Sequence, residues 1–176
     1  MIPNDRKFQE LLLYVASRCE GDPTFGATKL NKILFFADFL AYGKLGKAIT
    51  GQPYQKLERG PAPVRLVPLK CELVPHAAVE QQRDYFGHTQ TRLIALREAD
   101  LSEFSGPEVA IIDAVIRDLW DQNAIEVGDL SHKFLGWEVA DLQEVIPYES
   151  VFLDSRPLTA KEEERAAELG AERRHS

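Results

Sequence analysis

"FGATKLNKILFFADFLAYGKL", residues 25–45, is the stretch on which the fold turns. A helix is predicted from about Thr28 to Gly43. Leu30, Ile33, Leu34, Phe35, Phe36, Ala37, Phe39 and Leu40 leave it almost no polar face, which places it at the centre of a domain and not on its surface. Lys29 and Lys32 stand ahead of that apolar block and are expected to reach solvent or an acidic partner. Asp38 lies within the block, where a carboxylate needs a partner or a shifted pKa. Its expected role is structural, either capping a backbone group or pairing with a cation such as Arg59.

On the N-terminal side, Asn4 or Asp5 can cap a helix whose Phe8, Leu11, Leu12, Val15, Ala16 and Cys19 recur at helical spacing, ended by Gly21 and Pro23. On the other side, Gly43, Gly46 and Gly51 punctuate a connection leading to a short extended segment over Tyr54 to Arg59. Pro61 and Pro63 suit the first turn of a further helix, which Pro68 is expected to interrupt and Pro75 to stop near Leu73. From Val79 to Leu96 the pattern shortens to two strands joined at Gly87-His88. Gly106-Pro107 opens a third strong helix carrying Val109, Ile112, Val115, Ile116, Leu119 and Trp120, the last read as core. A short helix near Gly128 to Phe134, a loop through Gly136-Trp137 and a stretch around Ile146 to Leu153 complete the pattern. The fold class is α+β, a mostly α-helical single domain with a small antiparallel β-sheet. Residues 1–158 are read as that domain. Residues 159–176 are read as a charged C-terminal helix or tail opened by a Thr159–Glu162 capping box.

The chain has 176 residues, 44% hydrophobic and 28% charged, with mean hydropathy −0.26, a composition that suits one globular domain. No apolar run approaches membrane-spanning length and no signal peptide opens the chain, so a cytoplasmic protein is expected. Cys19 and Cys71 lack metal-ligand or redox spacing and are read as small buried hydrophobes. The net charge of −7 is uneven: +4 over residues 1–96, −10 over 97–156 and −1 over 157–176. The acidic second half opposes nucleic acid and favours a basic partner, or is simply a solvated face.

No phosphate-binding, dinucleotide-binding, nucleophile-elbow or HExxH signature is present. The histidines His76, His88, His132 and His175 are scattered, so neither a metal nor a cofactor is expected. In "LSHKFLGW", residues 130–137, His132 and Trp137 face each other across a short loop, read as a satisfied core pair with the imidazole bonded to backbone.

Three separated pieces carry a resemblance: "TKLNKILFFADFLAY" (28–42), "RGPAPVRL" (59–66) and "LSHKFLGWEVA" (130–140), the last followed by "IPYESVF" (146–152). In this order they resemble the Panacea domain, the SocA-like antitoxin domain, whose members include proteins described as phage-associated. The resemblance spans most of residues 5 to 153. It implies that Lys29, Leu30, Lys32, Phe36 and Asp38 match the family's first motif, Gly60 and Pro61 its Gly-Pro turn, and His132 and Trp137 its later motif. It further implies an antitoxin, not an enzyme, that binds and silences a co-encoded toxin. One family member delivers its toxin to a ClpXP-type protease, so such a protease joins the expected partners. The chain departs from the family pattern in Pro63, Pro68 and the insert Val79 to Leu96. Tyr85 and Phe86 of that insert, with Lys29 and Lys32, are the expected partner-binding residues. Two other classes stay open: a small hydrolase using Asp38 and His132, and a DNA-binding or phage-associated module using Lys29, Lys32, Lys44 and Lys47.

Overall fold

The computed structural model describes residues 2–153, 159–161 and 164–165, and the expected C-terminal tail lies largely outside them. Helix α1, Asp5–Arg18, starts where the Asn4 side chain accepts from the Lys7 amide at 2.9 Å, and it buries the stripe Phe8, Leu11, Leu12, Val15 and Ala16. Helix α2, Ala27–Leu45, ends on Gly46 in the left-handed region, φ 74°. Its Ile33, Leu34, Phe35 and Phe39 are almost wholly buried, each contributing roughly 1.5–3 kcal/mol through transfer out of water. Burial on all sides explains why α2 is central: it packs against α1, against the segments Ala62–Pro63, His88–Ala95, Gly106–Asp118 and Ala124–His132, and against the 3-10 turn at Tyr148–Phe152.

Strands β1, Tyr54–Gln55, and β2, Ala62–Pro63, form one short antiparallel ribbon in which Tyr54 opposes Pro63. Helix α3, Leu66–Ala77, leads directly into β3, Ala78–Tyr85, which pairs antiparallel with β4, His88–Ala95, from Ala78 opposite Ala95 to Tyr85 opposite His88. The two-residue turn between them, Phe86 at φ 50° and Gly87 at φ 78°, places both central residues in the left-handed region, the geometry that matches strand twist. Helices α4, Gly106–Asp118, α5, Ala124–His132, and α6, Leu135–Val139, follow. The result is a mostly helical α+β domain whose antiparallel pairing is divided between two separate ribbons.

Several local expectations are corrected. Pro61 precedes, and Pro63 ends, the strand β2 instead of starting a helix, because the β1 edge captures that segment. Pro68 does not interrupt α3: it occupies the first turn, where a missing N–H has no helical partner to lose. Pro75 is tolerated within α3, which ends only two residues later. Cys71 is exposed while Cys19 is buried, since α3 covers α1 with Leu69 and Leu73 and turns Cys71 outward. Trp120 is 38% exposed, because α4 ends at Asp118 and the chain turns away after the buried Leu119. Trp137 sits on α6 and not in a loop.

A cluster of rings fills the space between α2 and the end of the domain. Phe35 and Phe39 lie 4.3 Å apart between centroids, Phe39 and Tyr148 4.5 Å, and Phe35 and Phe134 5.2 Å. These tilted and edge-on contacts join α2 to the segments after α5.

Candidate functional site

Helix α2 carries three polar side chains into the interior, and each meets a different loop. At the N-terminal end, Lys29 is 1% exposed and its Nζ lies 2.6 Å from Asp22 Oδ2. Asp22 is held in turn by Thr24, whose amide and hydroxyl donate to Oδ1 at 2.8 and 2.6 Å. One turn further on, Lys32 is 2% exposed and donates to the Pro61 carbonyl at 3.1 Å, with no carboxylate beside it. Burial alone pulls the Lys32 ammonium down to about 8. Neither lysine reaches solvent, contrary to the sequence expectation, because α2 is enclosed on the side that a two-layer packing would have left open.

Asp38 is wholly buried and pairs with no cation; Arg59 is not its partner. Its Oδ1 accepts from the Thr50 amide at 2.7 Å, and its Oδ2 accepts from the Thr50 hydroxyl and meets the Tyr54 hydroxyl at 2.8 Å. Burial is the largest influence and raises the Asp38 pKa despite these donors. The Tyr54 hydroxyl has one hydrogen yet also lies 2.9 Å from the Leu34 carbonyl. A proton on Asp38 Oδ2 balances that pair of contacts.

The Gly-Pro turn lies directly over Lys32. Gly60 adopts φ 95°, and a Cβ built there would stand 2.5 Å from both Lys32 Nζ and Ser131 Oγ, so only glycine fits. Ser131 is buried on α5 and donates to the Gly128 carbonyl at 2.7 Å. Beyond it, His132 stacks on Trp137 with centroids 4.1 Å apart and planes 19° apart. The Trp137 Nε1 donates to the Leu57 carbonyl at 3.3 Å, and the Lys56 ammonium lies 4.4 Å above the indole ring. His132 Nε2 is buried without a hydrogen-bond partner among the described residues, whereas the sequence reading bonded the imidazole to backbone. The three separated sequence pieces thus meet at one loop, residues 56–61, gripped from below by Lys32 and from the side by Trp137.

A family model described as an antitoxin SocA-like, Panacea domain matches residues 30–138, more than half of the chain. The chain belongs to the SocA-like Panacea-domain antitoxin family. No curated protein and no solved structure matches it. The match includes Leu30, Lys32, Asp38, Gly60, Pro61, His132 and Trp137, while Lys29 stands one residue before it. In this Panacea domain Leu30, Lys32, Asp38, Gly60 and Pro61 are buried and His132 and Trp137 half-buried, and the loop they hold borders a surface.

That surface is a groove of about 720 Å³ between the tip of the β3–β4 hairpin, the start of α2 and the start of α5. Tyr85, Phe86, Arg59, Lys29 and Ile125 line it. Phe86 is 85% exposed and Ile125 75%. Arg59 makes no ion pair or hydrogen bond among the described residues, so the gripped loop presents a free guanidinium at the rim. Of the four partner-binding residues expected from the sequence, Tyr85, Phe86 and Lys29 line this groove and Lys32 does not. Ile125 was not among them, although a signal was available. The Asn123–Glu126 capping box starts α5 four residues earlier than expected and leaves Ile125 on its open first turn.

Lys32 also yields a stability prediction. An ammonium whose pKa falls from 10.5 to about 8 on folding is protonated at pH 7 in both states at a cost of about 3 kcal/mol. The unfolded chain holds more protons between these values, so stability rises with pH from about 8 to 10.5 and the gain is absent below 8. Lys32→Met removes that cost and gives up one hydrogen bond of about 1 kcal/mol. Urea titrations should show it about 2 kcal/mol more stable at pH 7, with the alkaline rise abolished; equal or lower stability at pH 7 would mean that the ammonium is compensated.

Proposed function

We propose that the protein is a cytoplasmic antitoxin that silences a co-encoded toxin polypeptide by binding it directly, one to one. The carrying observation is the hairpin-tip groove, where Phe86 and Ile125 stand exposed beside Tyr85 and the unpaired Arg59. Aromatic and arginine side chains at the centre of an interface supply most of its affinity, and here they surround a concave surface ready to accept an apolar knob. A stable complex buries about 1,600 Å² in total, more than this groove offers, so the partner extends beyond it. Presentation of the bound toxin to a ClpXP-type protease is the second part of the proposal and needs a surface the toxin leaves free.

The other two classes have weaker support. Lys29 and Lys32 are buried and offer nothing to phosphate, leaving only Lys44 and Lys47 exposed. Asp38 is 0% exposed, closed off from anything arriving through solvent. Among the described residues no group of three His, Cys, Asp or Glu side chains could hold a metal ion, and no helix is long and apolar enough to cross a membrane.

The test is co-expression with the adjacent open reading frame. The wild-type chain should rescue growth from a lethal neighbour and co-purify with it. Phe86→Ala/Ile125→Ala should weaken the complex by about 100-fold or more, at roughly 2 kcal/mol for each anchor, while leaving the thermal melt unchanged. Unimpaired rescue by that folded variant would remove the groove from the mechanism. A toxin lifetime that shortens in the presence of the antitoxin only when the protease is intact would support delivery; an unchanged lifetime would leave masking as the whole mechanism.

A further inference from the structure

The segment after α6 builds a second surface of different chemistry. From Glu138 to Leu153 the chain holds Glu138, Asp141, Glu144 and Glu149 and no lysine or arginine. None of these four carboxylates forms an ion pair with a described residue. Between them, Val139 is 71% exposed, Phe152 66%, Leu142 57%, Val145 50% and Leu153 50%. A groove of about 330 Å³ runs through the patch, walled by Val139, Ala140, Pro147 and Leu153 with Glu144 and Glu149 at its edge.

This surface is rigidly backed. The Lys56 amide donates to the Glu144 carbonyl at 2.9 Å, the Gln143 amide to the Lys56 carbonyl at 2.8 Å, and the Ile146 amide to the Tyr54 carbonyl at 2.8 Å. The Lys56 ammonium adds a bond to the Ala140 carbonyl at 2.9 Å, and the Tyr148 hydroxyl one to the Gln52 carbonyl at 2.7 Å. Gln143 is held at φ 68°, a conformation that a non-glycine residue keeps only when its surroundings enforce it. Exposed apolar side chains on a fixed backbone lose little entropy on binding.

We infer that Glu138–Leu153 is a second docking face, and that its occupant is a basic segment of the toxin studded with apolar side chains. The assignment of that segment to the toxin rests on the antitoxin reading above. Charge selects among the occupants. A second copy would bring four like carboxylates against these four, and residues 154–176 of this chain carry six acidic against five basic side chains. A cationic amphipathic segment satisfies both the rim and the groove. Arg59 and Leu142 line a smaller cleft that continues from the hairpin-tip groove toward this face, so one partner can lie along both.

The probe is a fluorescein-labelled amphipathic peptide of leucine and lysine at helical spacing, titrated into the full chain by anisotropy, with a leucine–glutamate peptide as control. The lysine peptide should bind and weaken with added salt. Glu144→Lys/Glu149→Lys and, separately, Val139→Ser/Leu153→Ser should each weaken it about tenfold or more. Glu98→Lys/Asp118→Lys, an equal change of net charge on other exposed positions, should leave affinity within about twofold. The inference fails if the two charge-reversal pairs weaken binding equally, if the glutamate peptide binds as well, or if a dimer forms that Val139→Ser/Leu153→Ser abolishes. It also fails if hydroxyl-radical labelling finds Val139 and Leu153 shielded in the isolated chain, which would make the chain's own tail the occupant. Peptide docking as expected with no lethal neighbour rescued would sink the antitoxin reading and leave the face standing. Rescue that is lost in Phe86→Ala/Ile125→Ala but survives both face variants, with no peptide selectivity, would sink the face alone.

Discussion

Lys29→Ala is expected to destabilise the protein by about 3–5 kcal/mol, close to the upper limit for a single substitution. The side chains of Lys29 and Asp22 are each 1% exposed, and removing the ammonium leaves the carboxylate buried with only the two Thr24 donors to hold it. In a domain of this size such a loss lowers the melting temperature by roughly 10 °C. Lys29→Met/Asp22→Asn removes both charges while keeping an acceptor for the Thr24 amide, and should recover most of the loss. Chemical denaturation of the three chains, with Lys29→Met and Asp22→Asn added to close the double-mutant cycle, provides the measurement. A cost below about 1 kcal/mol for Lys29→Ala would mean that the ammonium reaches water, as the sequence alone suggests. Because Lys29 also lines the hairpin-tip groove, the double variant separates fold from binding: a stable chain that fails to neutralise the toxin would place the lysine in the interface.

The second large effect is at Asp38. Alanine there strips the acceptor from the Thr50 amide and hydroxyl and the partner from the Tyr54 hydroxyl, all buried, and a cost of about 3–5 kcal/mol is expected. Its dependence on pH has a definite sign. Burial raises the folded pKa above the ordinary value of 3.8, so the folded state binds a proton that the unfolded state has released. The contribution to stability is therefore fully present below about pH 3.8 and is lost as pH rises through the folded pKa. Asp38→Asn cannot titrate and should remove this component from the pH profile, at a cost smaller than that of alanine. Denaturant midpoints of wild type and Asp38→Asn across the acid range are the comparison. A wild-type profile with the same slope as Asp38→Asn would show that the carboxyl titrates alike in both states.

Much of this architecture is visible in local pattern. The all-round apolar block of α2 announces its central position, the stripe of α1 its single buried face, and the two short runs either side of Gly87 the hairpin, although its turn is Phe86-Gly87 and not the expected Gly87-His88. These features depend on residues a few positions apart, where periodicity and turn chemistry act. Tyr85 and Phe86 were expected to meet a partner, but the sequence set the turn one residue late, and it is the Phe86-Gly87 turn that puts Phe86 at the open apex. Polar partnerships were not legible. Lys29 and Asp22 are separated by a loop whose path no pattern specifies, and Asp38 finds Thr50 and Tyr54 only after the chain has crossed back over α2.

Proline reading failed where strand pairing intervened: Pro61 and Pro63 have dihedrals that suit a helix start, but the exposed edge of β1 took the segment instead. The second docking face was hidden for another reason. Glu138 to Leu153 mixes acid and apolar residues without a period, and only its anchoring to Lys56 and Tyr54 reveals which of them face outward.

The sequence by itself determined α1, α2 and α4, the hairpin, the family and the uneven charge, because these reside in neighbouring residues and in composition. Tertiary structure alone decided that Lys29, Lys32 and Asp38 are interior, that the loop 56–61 is clamped over them, and which side chains remain for a partner. Burial and pairing depend on what the rest of the chain brings to a residue, and an amino acid carries no record of that in its own identity.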